Sequence, residues 1–90
     1  MDDTIQMNER VEVTALFGVR TQERLLCQPM TFVYKGREIN ITELGLRHPT
    51  SKGQRMVHVF DVSDGANDYR LEFDAARLVW YLTAMRLHNE

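Results

Sequence analysis

The sequence predicts an all-β fold: a single small antiparallel domain of five or six strands, arranged as a partly open barrel or a strongly bent meander. Two observations carry this. Short segments of alternating apolar and polar residues are separated by turn signals at fairly even spacing, which is the rhythm of a small β domain. The cross-strand registers these segments allow also set apolar against apolar and polar against polar. With 90 residues, two separate cores would each be too small to stand alone, so residues 1–90 are read as one domain.

The N-terminal stretch 1–9 is expected to be flexible. From Arg10 to Phe17, Val11, Val13, Ala15 and Phe17 fall on one side and Glu12 and Thr14 on the other, the pattern of a strand that Gly18 ends. Val19 to Gln28 fits either one capped helical turn or an irregular approach to the next strand. After Pro29, Met30–Tyr34 and Glu38–Thr42 form a hairpin, with Gly36-Arg37 as a two-residue type II′ turn that needs positive φ at its first position. That register pairs Tyr34 with Ile39 and Phe32 with Ile41.

Gly45 to Gln54 has turn residues and no periodicity, and is expected to be the longest loop. Met56–Val62 is apolar on both faces apart from His58 and Asp61, as a central strand covered on two sides would be. After a turn cluster from Ser63 to Asn67, Tyr69–Phe73 alternates cleanly; Phe60 then faces Leu71, Val62 faces Tyr69, and Asp61 lies opposite Arg70. The last segment admits a helix capped by Asp74, with Leu78, Tyr81, Leu82 and Met85 at helical spacing. A strand is favoured, because a hairpin closing at Phe73–Leu78 pairs Leu71 with Trp80 and Tyr69 with Leu82, and because Val79-Trp80-Tyr81 are good strand formers. Residues 86–90 are expected to fray.

Phe32-Val33-Tyr34-Lys35-Gly36-Arg37-Glu38-Ile39-Asn40-Ile41, followed by Leu71-Glu72-Phe73-Asp74 and Trp80-Tyr81-Leu82, resembles small uncharacterised bacterial all-β domains. These carry an F-x-aromatic-x-G-R-x-apolar-x-apolar hairpin and a closing hairpin. The resemblance implies a strand at the C-terminus and no established chemistry.

Several function classes are disfavoured on composition. One cysteine, Cys27, allows no intrachain disulfide and points to a reducing compartment. The acidic start at Asp2-Asp3 and the lack of a long apolar run predict a cytoplasmic, soluble chain without membrane contact. Cys27, His48, His58 and His88 share no metal-ligand spacing, and no phosphate loop or paired-carboxylate motif occurs, so no metal, cofactor, small-molecule substrate or catalytic residue is assigned. A thiol hydrolase using Cys27, a histidine and Asp61 has the residue types but no local signature, and the protein is read as a non-enzyme. His58, set beside Phe73, is read as structural.

Charge is distributed unevenly. The net charge of −2 hides five cations against two carboxylates from Lys35 to His58, and one cation against five carboxylates from Asp61 to Asp74. Tyr34, Arg37, Arg47, His48, Lys52 and Arg55 are therefore candidates for binding an anionic partner such as nucleic acid, against the simpler alternative that they face the acidic stretch or solvent. Nine arginines against two lysines favour planar contacts slightly. The preferred function is an interaction module that binds a protein partner or a second copy of itself through a sheet edge or the apolar outer positions Val57, Val59, Val79 and Tyr81. A small-barrel nucleic-acid-binding domain using the basic loop and hairpin tip is the alternative.

Overall fold

The computed structural model describes residues 4–18 and 27–88. Within them the chain forms β1 (Thr4–Phe17), β2 (Cys27–Tyr34), β3 (Arg37–Asn40), β4 (Glu43–Lys52), β5 (Arg55–Ser63), β6 (Asp68–Asp74) and β7 (Val79–Arg86). All pairings are antiparallel, and the strands make one seven-stranded sheet in the order β3-β2-β1-β7-β6-β5-β4. The all-β single domain is as the sequence predicts. The strand count and the barrel are corrected: there are seven strands, and the sheet is not closed, since β3 and β4 remain its two edges.

The ends of the sheet are nonetheless tied. Between β3 and β4 the Ile41 N–H donates to the Met30 carbonyl (2.9 Å) and the Thr42 N–H donates to the Ser63 carbonyl (2.8 Å), so one short connection bonds to β2 on one side and β5 on the other. The sheet thus bends around a single core of Phe32, Phe60, Val62, Tyr69, Leu71, Phe73, Trp80 and Leu82. Phe73 stacks on Trp80 at 4.7 Å and Phe32 meets Tyr69 edge-on at 5.1 Å, geometries that suit the ring quadrupole.

The seventh strand is β4, where the sequence predicts a loop. Its alternation is hidden by a bulge: Leu44 pairs with Val62 and Arg47 with Phe60, so Gly45 and Leu46 together oppose Asp61. A Cβ at Gly45 would lie 3.1 Å from the Asp61 carbonyl oxygen, which explains a glycine there. Pro49 lacks an N–H and is tolerated because β4 is an edge. Pro49, the bulge and the charged Arg47 and Lys52 also make β4 a poor template for pairing with another chain.

The first hairpin closes one residue earlier than expected. Tyr34 pairs with Arg37 and Phe32 with Ile39, with Lys35 and Gly36 both at positive φ (52° and 75°). This is the type I′ geometry, and a lysine at its first central position is strained. Lys35→Asn should therefore raise the unfolding free energy by about 0.5–1 kcal/mol, read as a higher urea midpoint at unchanged slope.

The β5–β6 register is as predicted, with Phe60 opposite Leu71, Val62 opposite Tyr69 and Asp61 opposite Arg70. The C-terminal segment is the favoured strand, β7, but slid: Phe73 pairs with Trp80 and Leu71 with Leu82, two residues on, and beyond a bulge at Thr83 Tyr69 pairs with Met85 in place of Leu82, three residues on. Leu78, expected opposite Phe73, instead ends the turn after Asp74, 76% exposed and at φ 59°. Of the stretch 1–9, expected to be flexible, residues 4–9 belong to β1, where Thr4, Ile5, Gln6 and Glu9 pair with β7, Thr4 lying opposite Arg86. Cys27 and Gln28 open β2, while the rest of the stretch left between helix and irregular approach, 19–26, lies outside the described residues. Beyond Arg86, the His88 N–H donates to Asn67 Oδ1 at 3.0 Å and its Nε2 lies 2.8 Å from Asp68 Oδ2.

The β5–β6 turn is built on Asp64, whose Oδ1 accepts from the Ala66 and Asn67 N–H groups (2.8 and 2.7 Å) and whose Oδ2 accepts from the Tyr69 hydroxyl (3.1 Å). Desolvation alone would raise this carboxyl, but the three donors together outweigh it and hold the group below its ordinary 3.8. The contribution to stability is accordingly complete above that value and is lost as pH falls through the lowered one. Asp64→Ala should destabilise the domain near neutral pH, and its deficit against the parent should shrink in thermal melts taken progressively below about pH 4.

Candidate functional site

Strand β5 is buried on both faces, and its two sets of side chains do different things. Phe60 and Val62 enter the core, whereas the register turns Val57 and Val59 to the outer face, opposite Asp74 and Glu72. Those two valines were expected to meet a partner, but they are only 5% and 2% exposed. The cause lies in the neighbouring strands. Lys52 on β4 reaches across β5 to Glu72 on β6, its Nζ 3.1 Å from Oε1, and Arg55 Nη1 donates to Asp74 Oδ2 at 2.6 Å. Long cationic stems laid over apolar side chains shield them from water. Val79 and Tyr81, the other expected surface positions, are half-buried.

The six basic or aromatic candidates are divided between the two faces. Tyr34 and Arg37 pair across β2 and β3 on the face that carries Phe32 and Ile39, and Arg47 is opposite Phe60 on the same side of the sheet. Their surroundings agree: burial pushes the Tyr69 phenol up while Arg37 pulls slightly the other way, and burial pushes the Cys27 thiol up while Arg47 opposes it. Tyr34 carries Lys35 over its ring at 5.4 Å. His48 and Lys52, one and five residues after Arg47, point to the outer face with Arg55. Two of the cations that made the Lys35–His58 stretch look basic, Lys52 and Arg55, are paired with two of the carboxylates that made the following stretch look acidic.

Since Arg47 is the charge opposing the rise of the Cys27 thiol, Arg47→Ala should raise that thiol further. The expected result is a slower reaction with a disulfide reagent at neutral pH and a rate profile displaced to higher pH.

What the sequence did not reveal is a trough along the outer face of β1, β7, β6, β5 and β4. It has two sections of about 500 and 520 Å³ that share Gln6 and Arg70. One section is bordered by Glu43, Asp61, Ser63, Asp68 and Arg86 and reaches down to Leu44, Val62, Tyr69 and Met85 of the core side; the other is bordered by Lys52, Arg55, Glu72, Asp74, Arg77 and Tyr81. Arg70 sits where they meet, its Nε donating to Asp61 Oδ1 at 2.9 Å.

Three register shifts fall on the trough: Gly45-Leu46 opposite Asp61, Thr83 between the Arg70–Ala84 and Leu71–Leu82 pairs, and Met7-Asn8 between the Gln6–Ala84 and Glu9–Leu82 pairs. The last two are side by side, so β1 and β7 are both irregular at Thr83. Bulges bend and twist the strand that holds them, and they recur beside functional sites because they re-aim side chains. The signals that could have located the trough were charges of opposite sign on adjacent strands, of which only Asp61–Arg70 was anticipated.

Among the described residues no three His, Cys, Asp or Glu side chains are grouped so that they could hold a metal ion. Cys27 opens β2, His48 lies on the outer face, His58 is opposite Phe73 but exposed, and His88 is tethered beyond β7. Comparison with protein-family models, curated proteins and solved structures finds no match, so the trough is read from its own geometry.

Proposed function

We propose that this chain is a non-enzymatic interaction module that receives a protein partner in the trough on its outer face. The supporting observation is the coincidence of three strand irregularities with two adjoining depressions that share Gln6 and Arg70 and carry charges of both signs. A regular sheet would present a shallower surface there. Both sections are open and mix polar with apolar lining, which suits an extended segment better than a small molecule needing enclosure. Carboxylates on two sides of the groove weigh against the nucleic-acid reading, because a phosphate backbone running along it would meet Glu43, Asp61 and Asp68.

The test is photocrosslinking from a benzophenone amino acid in place of Gln6, which borders both sections, with the same group in place of the exposed Glu38 on β3 as control. The purified protein at graded concentrations tests for a second copy, and cell extract tests for other proteins. The expected result is adducts of discrete mass from position 6 and few from position 38. Equal labelling from both positions, or from neither, would remove the outer face as the docking surface.

A further inference from the structure

We propose that the Lys52–Arg55–Arg77 end of the trough binds the carboxylates of an acidic protein segment, an inference that rests on the outer face being the docking surface. Charge is layered at this end. The acids form the floor: Asp74 is 1% exposed and Glu72 8%. The cations stand above them, with 49% of the Lys52 side chain and 42% of the Arg55 side chain exposed.

The floor acids already have partners. Asp74 accepts from Arg55 and from the Ala76 and Arg77 N–H groups, and Glu72 is bound by Lys52. The cations above them have donors to spare. A guanidinium has five N–H donors and an ammonium three, so one bond each to the floor leaves donors for a second acceptor. Arg77 adds a guanidinium from the exposed β6–β7 turn, and among the described residues no carboxylate lies within ion-pair distance of it. An incoming carboxylate therefore meets cationic donors first, in a geometry guanidinium groups match well.

The same layering selects the class of partner. Past Arg70 the groove carries more carboxylates than cations, with Glu43, Asp61 and Asp68 against Arg70 and Arg86, and a phosphate held beside them is repelled. A peptide can end its acidic run at that point, whereas a nucleic-acid backbone carries its charge onward.

The experiment is an NMR titration of the labelled full chain with acetyl-triglutamate amide, with acetyl-trilysine amide and a short oligothymidylate in parallel. The expected result is saturable shifts of the Arg55 and Arg77 Nε–Hε signals and of the Tyr81 amide with triglutamate alone, with affinity falling tenfold or more in Arg77→Glu and unchanged in Arg37→Glu. Arg77 is exposed on a turn, so the variant's spectrum also reports that it folds. No saturable shift by about 1 mM, or shifts spread equally to Arg37 and Arg47, would overturn the proposal. Oligothymidylate saturating the same signals at lower concentration would replace it with nucleic-acid binding. Position-6 crosslinks that persist in Arg77→Glu without triglutamate shifts would remove the acid site and leave the docking face standing.

Discussion

Phe32→Ala is expected to lower the unfolding free energy by about 3–5 kcal/mol, as truncation of a fully buried aromatic does when the cavity cannot collapse. Phe32 is wholly buried and is the one β2 residue within the core cluster, packed edge-on against Tyr69, with Cys27 and Tyr34 of the same strand packed against that cluster. For a domain of 90 residues, total stability is about 5–13 kcal/mol, so the variant would be partly unfolded at physiological temperature. Urea denaturation followed by circular dichroism gives the midpoint. Phe32→Leu, which keeps most of the volume, should cost less than half as much. A loss below about 1 kcal/mol for the alanine variant would mean that the β2–β3 hairpin contributes little to the core.

Asp74→Ala should destabilise by about 2–4 kcal/mol, although Asp74 is a charged residue at the end of a strand. Its Oδ1 caps the Ala76 and Arg77 N–H groups at 3.1 and 3.2 Å, its carbonyl accepts from the Leu78 N–H at 2.8 Å, and its Oδ2 takes the Arg55 guanidinium. Losing such a cap costs about 0.5–2 kcal/mol. The ion pair adds a smaller amount, since Arg55 is substantially exposed and screened by solvent. Truncation also leaves an unfilled space at a position that is 1% exposed. Asp74→Asn keeps an acceptor for the turn and loses only the charge, so it should retain about half of the stability lost by alanine. Hydrogen exchange separates the two roles: the Ala76 and Arg77 amides should exchange faster in Asp74→Ala and change little in Asp74→Asn. Equal exchange in both would show that the turn does not depend on the carboxylate oxygen.

The core was more legible in the sequence than the site, and the period of the β-strand explains why. Both hairpins were placed with a pairing slid by two residues, Tyr34 opposite Ile39 in place of Arg37 and Phe73 opposite Leu78 in place of Trp80. A slide of two leaves every side chain on its face, so Phe32, Tyr34, Ile39, Leu71, Phe73, Trp80 and Leu82 were assigned to the core side even where their partners were wrong. The turns themselves misled: Lys35 and Leu78 adopt positive φ without being glycine or asparagine. β4 was missed because a bulge and a proline erase its alternation. The trough was illegible for a related reason. It coincides with extra residues at Gly45-Leu46, Met7-Asn8 and Thr83, and with ion pairs such as Lys52–Glu72 between residues distant in sequence, neither of which leaves a periodic trace. Charge totals by segment pointed to a basic patch, whereas the fold lays the two segments against each other.

The position of β1 has a kinetic consequence. It is the first strand in the chain yet lies inside the sheet, paired with β2 through its later half and with β7 through its earlier half. Val11 must find Trp80, which makes the contact order high and folding slow, on the millisecond-to-second scale typical of β domains with non-local pairing. During synthesis β2 to β6 can form hairpins as they emerge, but the earlier half of β1 waits as an open edge until β7 arrives. Gln6 comes from β1 and Thr83 from β7, so the middle of the trough is assembled in that last step. An unfinished chain would present the hairpins without the groove, and the proposed docking surface would appear together with completion of the fold.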